Sequence, residues 1–105
     1  MQPREVSQRL DELFVLDVRE PQEWAAGRIE GAVHVPLMQV PLRLGDLPRD
    51  KTIVCVCKVG ARSFEAMQFL TMQGFDAQNL DGGVVMWARS GLPLTTPAGD
   101  PGRIA

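Results

Sequence analysis

The sequence predicts an α/β domain with a mostly parallel central sheet flanked by helices on both faces. Three observations lead there. Short apolar, β-type runs alternate with segments of helical spacing along the chain. One run, Thr52-Ile53-Val54-Cys55-Val56, is continuously apolar after its first residue, the pattern of a strand covered on both faces. The chain has 105 residues and 45% hydrophobic content, enough for one core and too little for two.

Taken in order, Val6, Leu10 and Leu13 recur at three- to four-residue spacing and predict a short first helix after Pro3. Phe14-Val15-Leu16 then reads as a strand running into Asp17. Pro21 suits a helix start, so residues 22–26 form a short helix stopped by Gly27. Val33-His34-Val35 is a second strand closed by Pro36. The stretch 37–44 has helical character, interrupted by Pro41. After the strand 52–56, a helix is expected from Ser63 to about Gln73, with Phe64, Met67, Leu70 and Thr71 as its inner face and Gly74 as its stop. A last strand over 75–80 and a last helix over 83–89, with Val84 and Trp87 inward, complete the domain at residues 1–95. The run Thr95-Thr96-Pro97-Ala98-Gly99-Asp100-Pro101-Gly102 is tail-like, and residues 96–105 read as a flexible C-terminal tail.

Charge excludes some classes of partner. Net charge is −2 without a basic cluster, so no nucleic-acid footprint is present. No stretch approaches the roughly 20 apolar residues of a membrane span, and the polar start Met-Gln-Pro-Arg-Glu shows no signal peptide. A cytoplasmic location is expected. Cys55 and Cys57 stand two apart in a strand and so share a face, with α-carbons roughly 6.5–7 Å apart, at or beyond disulfide reach. No metal site is expected, because His34 is the only histidine and zinc takes four ligands. Cys55 reads as a buried strand residue.

Cys57 sits differently. It ends the apolar strand and opens the run Cys57-Lys58-Val59-Gly60-Ala61-Arg62, after which Ser63 begins a helical pattern. A thiol between a strand end and a helix start, across a short glycine-containing loop, faces a nest of backbone N–H groups. Lys58, Arg62 and the helix N-terminus favour the thiolate, the reactive form. Gly60 supplies the freedom to take a positive φ, which lets successive N–H groups converge. Asp17 ends a neighbouring strand with Arg19 close by, and ligands of parallel sheets bind beyond such carboxyl ends.

This loop resembles the C-x-x-G-x-R-S active-site loop of the rhodanese, or thiosulfate sulfurtransferase, family. Four further stretches are similar, in the same order. Leu16-Asp17-Val18-Arg19-Glu20-Pro21 with Glu23-Trp24 resembles D-x-R-x-x-x-E-[WYF]; Gly27 to Pro36 resembles G-H-I-x-G-A-x-x-[IV]-P. Asp81-Gly82-Gly83 with Trp87 resembles D-G-G-x-x-x-W, and Gly91-Leu92-Pro93 follows it as G-x-P. Arg28, Glu30 and Lys58 depart from the commoner His, Pro and Arg. The matches span residues 3 to 95, so the resemblance implies a rhodanese-like domain over nearly the whole chain.

The resemblance implies a sulfurtransferase working without cofactor. Cys57 would be the catalytic nucleophile, and Lys58, Val59, Gly60, Ala61, Arg62 and Ser63 would bind the substrate. The partner would be a small anionic sulfur donor such as thiosulfate, and the sulfur would leave as a Cys57 persulfide for cyanide, a thiol or an acceptor protein. Asp17, with Arg19, would orient Arg62 or the loop, unless the two form a local strand-end ion pair. A sulfur-relay module would use the same residues. Phosphatases with a related loop carry C-x5-R, whereas Cys57 to Arg62 is C-x4-R, a tighter ring better matched to one sulfur than to a phosphate. Non-catalytic relatives usually lack the cysteine that this chain retains.

Overall fold

The computed structural model describes residues 1–105. Four strands, β1 (Leu13–Asp17), β2 (Val33–His34), β3 (Thr52–Val56) and β4 (Ala77–Asn79), form one sheet in the order β2-β1-β3-β4. Every pairing is parallel. The helices are α1 (Pro3–Gln8), α2 (Pro21–Ala26), α3 (Ala61–Met72) and α4 (Gly83–Arg89), with 3-10 turns at Leu37–Leu42 and Leu44–Asp46.

Strand alternation divides the core in two. Leu16, Ile53 and Cys55 face one side, where Ala66 and Leu70 of α3 pack with Val40 and Leu47 of the 3-10 region. Val15, Val54 and Val56 face the other, under Val6 of α1 and Val84 and Trp87 of α4. Both faces are covered, which is why β3 can be apolar without alternation. The chain runs from β1 outward to β2, then returns to the opposite side of β1 to form β3. This reversal makes the β1–β3 boundary a topological switch point, and its carboxyl edge is where loops diverge and a ligand can enter. Asp17 and Val56 are paired at that edge, and Cys57 follows directly.

The expected boundaries shift for identifiable reasons. Leu13 opens β1 instead of extending α1, because it pairs with Thr52 and shares a sheet face with Val15. Proline at position 41 has no N–H to give, and the 37–44 stretch winds as 3-10 turns. Strand β4 is confined to 77–79, although Ile53 N–H already bonds the Asp76 carbonyl before it. Helix α3 begins at Ala61, two residues earlier than expected, because Gly60 in the left-handed region turns the chain at once into the helix. Its buried row is Ser63, Ala66 and Leu70; Leu70 and the half-buried Met67 face the core as expected, whereas Phe64 and Thr71 lie on the exposed side.

The last ten residues, expected as a flexible tail, fold back on the domain. Thr95 bridges both Arg28 and Pro101, Gly102 N–H bonds the Leu94 carbonyl and Arg103 N–H bonds the Ala26 carbonyl. Ile104 packs against the α1/α4 side of the core.

Gly83, the first residue of α4, has φ +62°, and a β-carbon there would lie 2.4 Å from the Cys57 carbonyl oxygen and 2.5 Å from that of Lys58. Gly83→Ala is expected to lower stability by about 2 kcal/mol or more, read as an earlier urea midpoint with an unchanged slope.

Candidate active site

The loop after β3 is shaped by what its carbonyls bind. Val84 N–H donates to the Cys57 carbonyl and Val85 N–H to that of Lys58, at 2.9 and 3.1 Å. The Gly60 carbonyl accepts from Phe64 N–H at 3.1 Å, the first helical bond of α3, and from Asn79 Nδ2 at 3.0 Å. With these oxygens turned outward, the N–H groups point into the ring. Gly60 holds φ +104°, a conformation that a side chain would oppose.

The sulfur of Cys57 lies at the centre, in a residue only 1% exposed. Gly60 N–H donates to Sγ at 3.1 Å, and the Ser63 hydroxyl donates at 3.2 Å from the first turn of α3. Burial alone would push the thiol pKa up and is the largest single influence. Hydrogen bonds from the Ser63 hydroxyl and from the Ser63, Gly60 and Val59 N–H groups outweigh it, and the pKa falls below its ordinary value. Cys55, two residues earlier in the same strand and fully buried, has no such donors. Burial first, and then the neighbouring Cys57, push its pKa up to about 12. Both cysteines are free thiols.

Arg62 does not pair with Asp17. Its guanidinium is gripped by both oxygens of Glu23 on α2, at 2.7 and 2.9 Å. Glu23 is itself fixed by a capping box, in which it accepts from Glu20 N–H at 3.0 Å while Pro21 begins the helix. The Arg62 bonds hold the Glu23 carboxyl at about 2, against the opposing effect of burial and with help from the Glu20 N–H. Arg62 is correspondingly stabilised as the cation, chiefly by Glu23. The pair ties α3 to α2 across the switch point.

Asp17 and Arg19 form a pair of their own, wholly buried. Arg19 donates from Nε and Nη2 to the Asp17 carboxylate at 2.7–3.0 Å, and its N–H bonds the same carboxylate at 3.0 Å. Nη2 also reaches the Gly27 carbonyl at 2.8 Å. This geometry braces the turn between β1 and α2, and the hydrogen bonds that the Asp17 carboxylate accepts all come from Arg19. His34 Nε2 donates to the Arg19 carbonyl at 2.7 Å, and its ring stacks on Trp24, whose indole also lies against the Arg28 guanidinium. At the mouth of the loop, Lys58 and Val59 are exposed, and Ala61 is the exposed first residue of α3.

Two residues join the site without having been assigned a part in it from sequence. Glu23 lies inside a motif quoted above, and Pro21 with Glu20 and Glu23 marks a capped helix start, so its position was readable although its partner was not. Asn79 had no sequence signal: it lies inside the strand expected over 75–80, and only the parallel register, Asn79 beside Cys55, brings its amide to the loop.

Two expectations follow from these charges. At neutral pH, a thiol-alkylating reagent labels Cys57 and leaves Cys55 unlabelled until the protein is unfolded, as peptide mapping will report. Glu23 has its carboxyl depressed from 4.5 to about 2. Its contribution is therefore complete above pH 4.5 and lost as pH falls toward 2. Arg62 is 36% exposed, so solvent screening trims that contribution to about 1–2 kcal/mol. The urea midpoint should drop over that interval, and Glu23→Gln should start lower and lose this part of the slope.

Comparison with known proteins agrees with this architecture. A family model described as "Rhodanese-like domain" matches residues 2–90. A sulfurtransferase of Allochromatium vinosum is 40% identical over 98 residues, covering 90% of this chain and 92% of the relative. The thiosulfate sulfurtransferase GlpE of Pseudomonas fluorescens is 38% identical, covering 94% and 93%. The probable adenylyltransferase/sulfurtransferase MoeZ of Mycobacterium tuberculosis is 42% identical over 87% of this chain but only 25% of its own length. Among solved structures, a rhodanese-related protein from Thermoplasma volcanium superposes with a TM-score of 0.87 at 29% identity, covering 90% of this chain and 95% of that one. A nucleophile-sized loop between β3 and α3, an all-parallel four-stranded sheet and these relatives lead to one conclusion: the chain belongs to the rhodanese-like domain family of sulfurtransferases.

Proposed function

We propose that Cys57 carries a sulfane sulfur as a persulfide, taken from thiosulfate or a similar small anionic donor and passed to a thiol or to cyanide. The observation that carries this reading is the sulfur's setting, with Gly60 N–H and the Ser63 hydroxyl both donating to Sγ inside a closed ring of N–H groups. Such a ring stabilises a thiolate, and equally the anionic outer sulfur of a persulfide. In the first step the thiolate attacks the outer sulfur of thiosulfate. The S–S bond of the donor breaks, and sulfite leaves with its electron pair. In the second, an acceptor thiolate or cyanide attacks the outer sulfur of the persulfide, and the Cys57 thiolate departs with the electrons. No cofactor takes part in either step.

Lys58 is the cation that greets the donor. The charge of Arg62 is largely compensated by Glu23, whereas Lys58 is exposed and forms no salt bridge. Arg62 then serves to hold the loop against α2. Lys58→Met should raise KM for thiosulfate roughly three- to tenfold while changing kcat less, with the difference shrinking at high salt.

A second reading, a relay module that hands its sulfur to a protein, is favoured by the similarity to about a quarter of MoeZ, where a comparable segment is part of a longer chain. It uses the same persulfide and differs in the acceptor. The cytoplasm is the compartment we assign, since a free-thiol nucleophile is best kept by a reducing environment; no helix is long and apolar enough to cross a membrane.

Steady-state transfer from thiosulfate to cyanide tests the proposal. Cys57→Ser should abolish turnover and Cys55→Ser should keep most of it. Undiminished turnover by Cys57→Ser would remove Cys57 from the mechanism.

A further inference from the structure

We propose that Asn79 is a positioning residue for the Cys57 sulfur, acting through Gly60, whose carbonyl it holds and whose N–H donates to Sγ. This inference rests on Cys57 being the nucleophile. Asn79 lies at the end of β4, in register with Cys55, and its side chain reaches past the strand end to the loop. There Nδ2 donates to the Gly60 carbonyl at 3.0 Å, with the glycine α-carbon close enough that an added β-carbon would lie 3.7 Å from Nδ2.

Gly60 is where such a hold is required. Its N–H is one of the donors to Sγ, and its φ of +104° belongs to a residue without a β-carbon to restrict it. A glycine explores both signs of φ readily, so the direction of this N–H depends on what fixes the residue from outside. The Gly60 carbonyl has two partners, Phe64 N–H within α3 and the Asn79 amide from β4. The first moves with the helix and leaves the loop free to rock about its N-terminus. The second ties Gly60 to the sheet, the same rigid body that carries Cys57. Both ends of the Gly60 N–H to Sγ contact are thereby referred to one frame.

The other half of the amide points to the same role. Asn79 Oδ1 is buried, and no protein group donates to it. A buried acceptor of that kind is unfavourable for stability, and an apolar side chain of similar shape would avoid it. The amide orientation is set by Gly60, since a carbonyl oxygen can only accept. Asn79 thus serves the loop through its nitrogen, at the expense of an oxygen left without a protein donor.

The test is the pH dependence of Cys57 alkylation in Asn79→Leu and Asn79→Ala, read beside thermal unfolding. Leucine keeps the volume and shape of the side chain and brings neither donor nor charge. Both variants are expected to fold, with the alkylation midpoint raised by about one pH unit, which is about a tenfold slower reaction below the midpoint. Asn79→Leu is expected to melt near the wild type. An unchanged midpoint, whether or not the melting temperature falls, would overturn the proposal and leave Asn79 as packing. Failure of both variants to fold would also overturn it. Alkylation reads the thiolate without any sulfur donor, so a wild type that alkylates at low pH yet forms no persulfide would count against the proposed function and not against the role of Asn79.

Discussion

The site depends on a loop whose carbonyls at Cys57, Lys58 and Gly60 are held from its outer side. Val84, Val85, Phe64 and Asn79 each donate to a carbonyl between Cys57 and Gly60. A peptide group joins the oxygen of one residue to the N–H of the next, so holding the Lys58 oxygen outward turns the Val59 N–H inward toward the sulfur. Helix α4 can approach closely enough to supply two of these bonds because Gly83 has no side chain to collide with the loop. The D-G-G segment and the cysteine loop are thus two halves of one hydrogen-bonded unit, although 20 or more residues separate them in sequence. That arrangement, together with the Ser63 hydroxyl, distinguishes Cys57 from an ordinary buried thiol.

Cys55 supplies the internal comparison. Both cysteines are nearly or fully buried, both pack on the same side of the sheet, and they stand two residues apart. Burial pushes each thiol toward the neutral form. Cys55 has only that influence and the neighbouring Cys57, and remains protonated; Cys57 meets a ring of donors and is driven the other way. The strand thus separates a sulfur favoured as thiolate from one held protonated by ending between them. The chemistry is decided by hydrogen bonding, with the cationic side chains in a supporting part.

Much of this was legible in the sequence, and what escaped has physical causes. The strand–loop–helix order around Cys57, the need for glycine at 60 and the sheet covered on both faces could be read from local pattern, because each depends on residues adjacent in the chain. The partner of Arg62 could not. Asp17 and Glu23 both stand near the carboxyl edge of β1, and only the fold shows that Arg19 occupies the first while Glu23, braced by its capping box, takes Arg62. Asn79 was invisible for the same reason, since its role comes from strand register. The inner face of α3 is centred on Ser63, Ala66 and Leu70, so Leu70 faces the core as its spacing indicates while Phe64 and Thr71 fall outside, and a small polar residue at 63 gives no apolar signal of its burial. Burial of position 63 brings the Ser63 hydroxyl to the sulfur.

The most direct measurement is the intact mass of the protein before and after thiosulfate, with peptide mapping of any gain. The account predicts one added sulfur, located on Cys57 and removed by cyanide. A protein that gains no mass, or gains it on Cys55, would contradict it.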